Sequence, residues 1–151
     1  MRSCCFLQSR SSAFRRLIKM KFTPDKITKL KKNQVFVFGS NEAGFHGAGA
    51  AKLAEEKFGA IMGVGYGLQG QSFAIPTKDL FIRTLPLDKI EFYIYSFLTE
   101  VMEYPDTEFL VTKIGCGLAG YSDDQIANLF KGKFIPENVT LPESFFNIIN
   151  S

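Results

Sequence analysis

The chain has 151 residues, 46% hydrophobic and 22% charged, a composition typical of one ordinary globular domain. No apolar run approaches the ~18–20 residues that a membrane helix requires, and the three cysteines have neither metal-binding nor disulfide spacing. Residues 1–24 hold six basic side chains and no acidic one, so the net charge of +3 leaves −3 for the remainder. These features predict a cytoplasmic protein with no membrane partner, no duplex nucleic acid bound through a basic face and no implied cofactor or metal.

Residues 1–21 form a basic leader that differs in kind from the rest of the chain. Its Arg- and Ser-rich, acid-free sequence is typical of an organelle transit peptide. The alternatives are a start placed too far upstream, with Met20 as the true start, or an expression leader. We expect this segment to be poorly packed, and we assign residues 22–151 to a single domain.

From Thr23 onward the sequence alternates apolar strands, glycine-rich loops and amphipathic helices. A turn or short helix is predicted at 23–25, strands at 34–38, 72–77, 108–114 and 138–141, helices at 49–58, 87–103 and 123–130, and a last helical turn at 145–149. The strand, loop, helix order recurs three times with segments too long for hairpins. This order predicts an α/β sheet with helices on its faces.

Two glycine-rich loops follow predicted strands and precede predicted helices. The first, FGSNEAGFHGAGAA, covers residues 38–51, and the second covers residues 115–120 after the strand FLVTKI. Ligands of α/β sheets bind at the carboxyl ends of strands, where backbone N–H groups and helix dipoles attract anions. Tight turns would explain either loop alone. Two such loops on one sheet edge favour a ligand that carries phosphate.

Other phosphate-binding and catalytic motifs do not fit the chain. It lacks G-x-x-x-x-G-K-[ST], G-x-S-x-G and any His/Cys metal cluster. Residues 65–70 spell G-x-G-x-x-G but precede a strand instead of opening a helix, which argues against a dinucleotide fingerprint. The segment VFVFGS suggests a nucleotide N-glycosidase, but the P-G-G-x-G-T-x-x-E motif of those enzymes is absent.

The segments IGCGLAGY, residues 114–121, and HGAGAAKLAEEKFG, residues 46–59, together resemble the macrodomain superfamily, which binds ADP-ribose. The likeness is strongest to the branch with terminal ADP-ribose glycohydrolases and ADP-ribose 1''-phosphate phosphatases, and the chain also looks like uncharacterised phage-associated small proteins. The resemblance covers about residues 34–130. The resemblance implies a single three-layer α/β domain, with a mixed sheet and helices on both faces. It also implies binding of ADP-ribose, a related NAD-derived nucleotide diphosphate or an ADP-ribosylated macromolecule.

The same resemblance assigns roles to loop residues. The implied ligand-binding set comprises Gly39, Ser40, Gly47, Ala48 and Gly49 from the first loop and Gly115, Cys116, Gly117, Leu118, Ala119, Gly120 and Tyr121 from the second. Asn41 matches the asparagine that holds the distal ribose in the family.

Two departures from the family pattern bear on catalysis. Ala43 aligns with a lysine of the glycohydrolase branch, and Ala119 aligns with its aspartate, so a lysyl intermediate and a general acid are both missing there. Binding without turnover is therefore favoured. The alternative is a hydrolase acting on the distal ribose or its 1''-phosphate, with water held beside Asn41 and His46. His46 is the only histidine, and its near-neutral pKa suits proton transfer, although it also suits a phosphate donor or a packing residue.

Other polar residues near the loops are ambiguous. Cys116 precedes a predicted helix, which would depress its pKa, but a small apolar loop residue is the simpler interpretation. Lys78 and Asp79 either form an ion pair at the rim or reach the ligand. Asp123 and Asp124 are predicted to cap and charge-stabilise the helix that they open.

Overall fold

The computed structural model describes residues 20–151, so the prediction for the leader lies, apart from Met20 and Lys21, outside the described residues. Within this part no helix is long and apolar enough to cross a membrane. The elements are β1 (Gln34–Asn41), α1 (Gly49–Lys57), β2 (Gly67–Gln69), β3 (Ser72–Lys78), α2 (Leu87–Glu100) continued by a 3₁₀ turn (Val101–Glu103), β4 (Glu108–Val111), α3 (Asp123–Ala127), β5 (Val139–Thr140) and α4 (Glu143–Ile149).

The five strands form one mixed sheet in the order β2-β3-β1-β4-β5. The central strand β1 is parallel to both β3 and β4, β5 is parallel to β4, and only β2 runs antiparallel, against β3. The predicted α/β class with a mixed sheet is therefore confirmed. The β2–β3 hairpin was not predicted, because β2 is three residues long and its glycine-rich surroundings carry no strand signal.

Helices pack against both faces of the sheet. Successive residues of β1 point to opposite faces, so Val35 and Val37 join one buried cluster while Phe36 and Phe38 join another. The first cluster contains apolar side chains of α2, α3 and α4, and the second contains those of α1. Because both faces of β1 are buried, its sequence VFVF is apolar without alternation.

Most predicted elements are present, with shifted ends. Helix α1 ends just before Gly59 as expected, and α2 with its 3₁₀ turn matches the predicted span. Strand β4 ends at Val111, three residues early, because the chain turns where Ile114 N donates to Thr112 O at 2.7 Å. Helix α3 ends at Ala127 and continues as turns, and the segment at 23–25 contains no helix, with a bend at 25–26.

The strand order produces an opening at the carboxyl end of β1. The chain passes from β1 to β3 on one side, then crosses to β4 on the other side. The loops that leave β1 and β4 therefore diverge around the end of β1. Ligands of open α/β sheets bind at this kind of switch point.

Candidate ligand-binding site

A cavity of about 350 Å³ lies at the carboxyl ends of β1, β3 and β4. This volume is in the range of small-molecule sites. Its walls are formed by both predicted glycine-rich loops, by the end of β3 and by one residue of the segment after β3. The lining residues are Gly39, Ser40, Asn41, Phe45, Gly47, Ala48, Gly49, Ala50, Ala51, Thr77, Lys78, Ile82, Thr112, Lys113, Ile114, Gly115, Gly117, Leu118 and Ala119.

Asn41 fixes the first loop at the end of β1. Its Nδ2 donates to Phe45 O at 2.8 Å, and its Oδ1 accepts from Phe45 N at 2.9 Å. The neighbouring Ser40 hydroxyl donates to the Gly65 carbonyl. The Asn41 side chain is buried, so both ends of its amide act on the loop backbone. Asn41 therefore lines the cavity while it holds the loop that leads to α1.

The amino-terminal end of α1 is open toward the cavity. Ala48 provides no side-chain cap, and the first turn contains no acidic residue. Within the described part of the chain, the five consecutive amides from Gly47 to Ala51 donate to no acceptor. Gly49 has φ +59, and a Cβ built there would meet only Leu118 Cδ1, at 3.7 Å. The missing side chain thus leaves open space beside unpaired N–H groups.

The second loop presents a shorter run of unpaired amides. Gly117, Leu118 and Ala119 line the cavity, and their N–H groups have no acceptor among residues 20–151. Gly115 has φ +74, and a Cβ there would lie 2.8 Å from Ile126 Cδ1, so close packing requires glycine. The backbone of this loop, and not the helix after it, is available to a ligand, because α3 is capped by its own side chains.

Hydrogen bonds tie the second loop to the segment after β3. Tyr121 OH donates to Leu85 O at 2.6 Å, and Thr84 Oγ1 donates to Ala119 O at 3.0 Å. Where the two loops leave their strands, a Cβ built on Gly39 would lie 3.4 Å from Gly115 N. The first and second loops therefore approach each other closely at this point. Tyr121 therefore positions the loop from outside the cavity lining.

Lys78 is a lysine in the cavity wall. The predicted rim pair with Asp79 is not formed, because Asp79 Oδ2 accepts from Arg83 Nε at 2.9 Å and its Oδ1 accepts from the backbone of Phe81 and Arg83. These contacts, led by the Arg83 backbone N–H, hold the pKa of Asp79 below its usual value. Lys78 is half-buried and pairs with no carboxylate among the described residues. It is the cavity's uncompensated positive charge, since the other lining lysine, Lys113, pairs with Asp123 at 3.1 Å.

His46 is enclosed next to the cavity. Its ring is 1% exposed and stands edge-on to Phe38, with the ring centroids 5.3 Å apart. Neither ring nitrogen has a hydrogen-bond partner in the part of the chain that the structure describes. His46 does not line the cavity. Its imidazole would have to move to exchange a proton with a ligand there, and its catalytic role stays a prediction.

Cys116 is protonated at neutral pH. Burial, together with the nearby Asp123 carboxylate, raises the pKa of its thiol to about 12, whereas the sequence suggested a depressed value. The helix dipole is outweighed first by burial and then by Asp123, which opens α3 and places a negative charge close to the sulfur. Cys116 Sγ donates to Ile114 O at 3.5 Å and does not line the cavity. The thiol therefore lacks the properties of a nucleophile.

Ten of the fourteen predicted site residues line the cavity, and His46, Cys116, Gly120 and Tyr121 do not. Several lining residues were not predicted. Thr77 could have been placed there, because it lies at the end of a strand parallel to β1, and Lys78 lines the cavity in agreement with the second of its two predicted roles. Ile82 gave no signal, since its position depends on the Asp79–Arg83 contact within an irregular loop.

The cavity contains no recognisable metal site. Among residues 20–151 there is no group of three or more His, Cys, Asp or Glu side chains that could hold a metal ion. Comparison with known proteins adds no relative: no protein-family model, curated protein or solved structure matches this chain.

Proposed function

We propose that the protein binds a phosphate-bearing ligand in this cavity, and that the ligand is ADP-ribose or a related NAD-derived nucleotide diphosphate. The observation that carries the proposal is the run of five unpaired amides, Gly47–Ala51, at the uncapped start of α1. Residues 47–50 are exposed, so their N–H groups are accessible to an anion that replaces water at the helix start. A phosphate group satisfies several of them at once and interacts favourably with the helix dipole.

A diphosphate fits the arrangement better than a single phosphate. The amides of Gly117–Ala119 approach from the second loop, so unpaired donors lie on two walls of one cavity. Lys78 adds a positive charge from the third wall, at the end of β3. The sequence likeness of both loops to macrodomains supports ADP-ribose within this class. A macrodomain-like three-layer fold is part of the proposal and agrees with a mixed sheet that has helices on both faces.

Calorimetric titration tests the proposal directly. We expect ADP-ribose to bind in a 1:1 ratio, ADP to bind more weakly and adenosine not to bind, because the donors address phosphate. Lys78→Gln should weaken ADP-ribose binding about tenfold, the usual effect of removing one charged hydrogen bond. Lys113→Gln is the matched control, since that lysine is paired with Asp123. If neither ADP-ribose, ADP nor pyrophosphate binds, the proposal fails.

Hydrolysis of an ADP-ribose derivative is a second candidate, and Lys78 is the observation that favours it. Ala43 stands where the family has its lysine, but Lys78 lines the cavity from the end of β3. An unprotonated lysine amine can attack C1'' of the distal ribose and displace the peptide side chain or the phosphate, after which water hydrolyses the lysine adduct and releases ADP-ribose. Incubation with ADP-ribosylated peptide and with ADP-ribose 1''-phosphate, followed by mass spectrometry, should then yield free ADP-ribose. Lys78→Ala should abolish release, whereas Lys113→Ala should retain it.

His46 requires its own pair of variants. If the imidazole transfers a proton, His46→Ala and His46→Leu should both lower turnover by about 10²–10⁴-fold. If His46 only packs against Phe38, His46→Leu should retain binding and any turnover. In that case it should fold at least as stably as wild type, because it removes two unpaired buried nitrogens.

A further inference from the structure

A second concave feature, which we call the basic recess, lies at the amino-terminal edge of the described chain. It has a volume of about 390 Å³, and its walls include Lys21, Lys26, Lys29 and Lys31. All four lysines are exposed. None forms an ion pair with a carboxylate among residues 20–151. The recess therefore concentrates positive charge that no carboxylate of residues 20–151 neutralises through an ion pair.

The negative charge near these lysines is limited. Glu108 is the only carboxylate in the recess wall, and its Oε1 accepts a hydrogen bond from Gln34 Nε2 at 3.1 Å. Asp25 is exposed and lines the neighbouring cavity. Four lysines against one carboxylate make a positive surface on a chain whose residues beyond 24 are net acidic. Charge complementarity thus predicts an anionic partner.

The side chains of the recess indicate which kind of anionic partner it binds. Phe22 lines it beside the lysines and is half-buried, with its ring 5.4 Å from that of Phe146. A basic groove with an aromatic side chain is the usual platform for single-stranded nucleic acid, whose bases stack while its phosphates meet lysine. Met20, next to Lys21, is the one exposed large hydrophobic side chain among residues 20–44, and a single methionine gives this face little to insert into a lipid surface.

We propose that the basic recess binds the phosphodiester backbone of a single-stranded nucleic acid. The proposal does not rest on the identity of the ligand in the first cavity. An intervening cavity of about 460 Å³ shares Lys26 and Ile27 with the recess, and Ala50 and Lys113 with the ligand-binding cavity. The recess includes Gln34 and Glu108, the first residues of β1 and β4, so a bound strand lies at the opposite end of these strands from the ligand-binding cavity.

Fluorescence anisotropy with a labelled dT12 oligonucleotide, measured on the full chain at several KCl concentrations, tests the proposal. Lys29→Gln/Lys31→Gln should weaken binding at least tenfold. It should also make the dependence of log K on log [KCl] shallower by about 1.4, since each phosphate contact to a single strand contributes ~0.7. Lys52→Gln/Lys131→Gln removes the same charge elsewhere and should change both quantities little.

The outcomes that overturn the proposal are distinct. Equal losses in the two double variants would show that binding depends on overall charge or on the basic residues 1–19. Tighter binding to a 12-base-pair duplex, or to vesicles containing 30% phosphatidylserine, would assign the surface to another partner. Absence of dT12 binding by wild type at 50 mM KCl would also refute it. ADP-ribose titrations of the same variants should be unchanged, which separates this proposal from the first.

Discussion

Two helices begin at the same edge of the sheet, and their first turns are built in opposite ways. Helix α3 has a complete capping box, in which Ser122 and Gln125 satisfy each other's backbone N–H, and Asp123 and Asp124 follow. Helix α1 starts after Ala48 with no cap and no acidic residue. Every helix start leaves about four N–H groups unpaired. The capping box satisfies two of these groups in α3, at Ser122 and Gln125, whereas no oxygen among residues 20–151 accepts from those of α1.

The two helix starts also differ in how much they contribute to the stability of the protein. A capping side chain contributes about 1 kcal/mol to stability, so α1 forgoes that contribution. Sites that bind ligands often retain such locally unfavourable features because function requires them. A missing cap is thus more informative than the glycine content of either loop, since glycine alone also serves turns.

The largest expected effect comes from filling the space in front of α1. Gly49→Val places a branched side chain in the cavity and should lower ADP-ribose affinity at least ~100-fold, equivalent to ~2.7 kcal/mol. Calorimetry measures the affinity. Gly132→Val is the control, because Gly132 also has positive φ, +80, but nothing lies within 4 Å of its Cβ position. Equal affinity for Gly49→Val and wild type would indicate that the first loop is only a tight turn.

Giving α1 the cap that it lacks should exchange affinity for stability. Ala48 already has the extended backbone of a capping residue, with φ −153 and ψ 159. Ala48→Asp should raise the free energy of unfolding by about 0.5–1 kcal/mol, and the added carboxylate should lower ADP-ribose affinity about tenfold or more. Urea denaturation and calorimetry measure the two changes. A gain in stability with full affinity would mean that the ligand does not use these amides.

Removing the cap of α3 should lower the stability of the protein and leave its affinity for ADP-ribose unchanged. Ser122→Ala is expected to destabilise the protein by about 1 kcal/mol in urea denaturation. ADP-ribose affinity should stay within twofold of wild type, because α3 does not present its amides to the cavity. Ser122→Thr retains a capping hydroxyl and is the control. A large loss of affinity in Ser122→Ala, with none in Ser122→Thr, would contradict the distinction between the two helices.

The smallest expected effect on stability comes from the carboxylate of Asp123, the first residue of α3. Burial acts to raise the pKa of Asp123, but its hydrogen-bond partners, Lys113 Nζ among them, outweigh burial and hold the pKa below its usual range. A depressed folded-state pKa stabilises the protein above the unfolded-state value of about 3.9, and this stabilisation is lost as pH falls through the folded-state value. Both side chains are about one-third to one-half exposed, so Asp123→Asn should cost less than ~1 kcal/mol.

Comparing urea denaturation at pH 7 and pH 3 measures this effect. The difference between Asp123→Asn and wild type should be present at pH 7 and should shrink at pH 3, where the carboxylate becomes protonated. A difference that grows toward low pH would reverse the assigned direction of the pKa shift.

The parts of the fold that were predictable from sequence are those with strong local signals. The apolar run of β1, the spacing of Ile90, Ile94 and Phe97 in α2, and Gly59 after α1 each determine an element through burial or backbone freedom. The ends of β4 and α3 were not predictable, because a turn at Thr112 and packing at Ala127 end them. Such ends depend on tertiary contacts that no short window of sequence contains.

The candidate site was predictable in its backbone and less so in its side chains. The two glycine loops follow parallel strands, so their meeting at one edge could be inferred. The burial of His46 against Phe38 could not be inferred, because a histidine in a polar loop gives no sign of which face it turns to the core. The pairing of Asp79 with Arg83, which leaves Lys78 in the cavity, depends on an irregular turn.

The three strands at the cavity join segments that are far apart in the chain. Gln34 of β1 pairs with Glu108 of β4, and Phe36 pairs with Ser72 of β3. The walls of the cavity therefore cannot assemble before most of the domain has folded, and any ligand bound there is coupled to global unfolding. At a free concentration of 100 Kd it should add about 2.7 kcal/mol to the free energy of unfolding. For a domain of this size such a gain raises Tm by several degrees. A thermal-shift screen of nucleotides can thus identify the ligand without an assay for its chemistry.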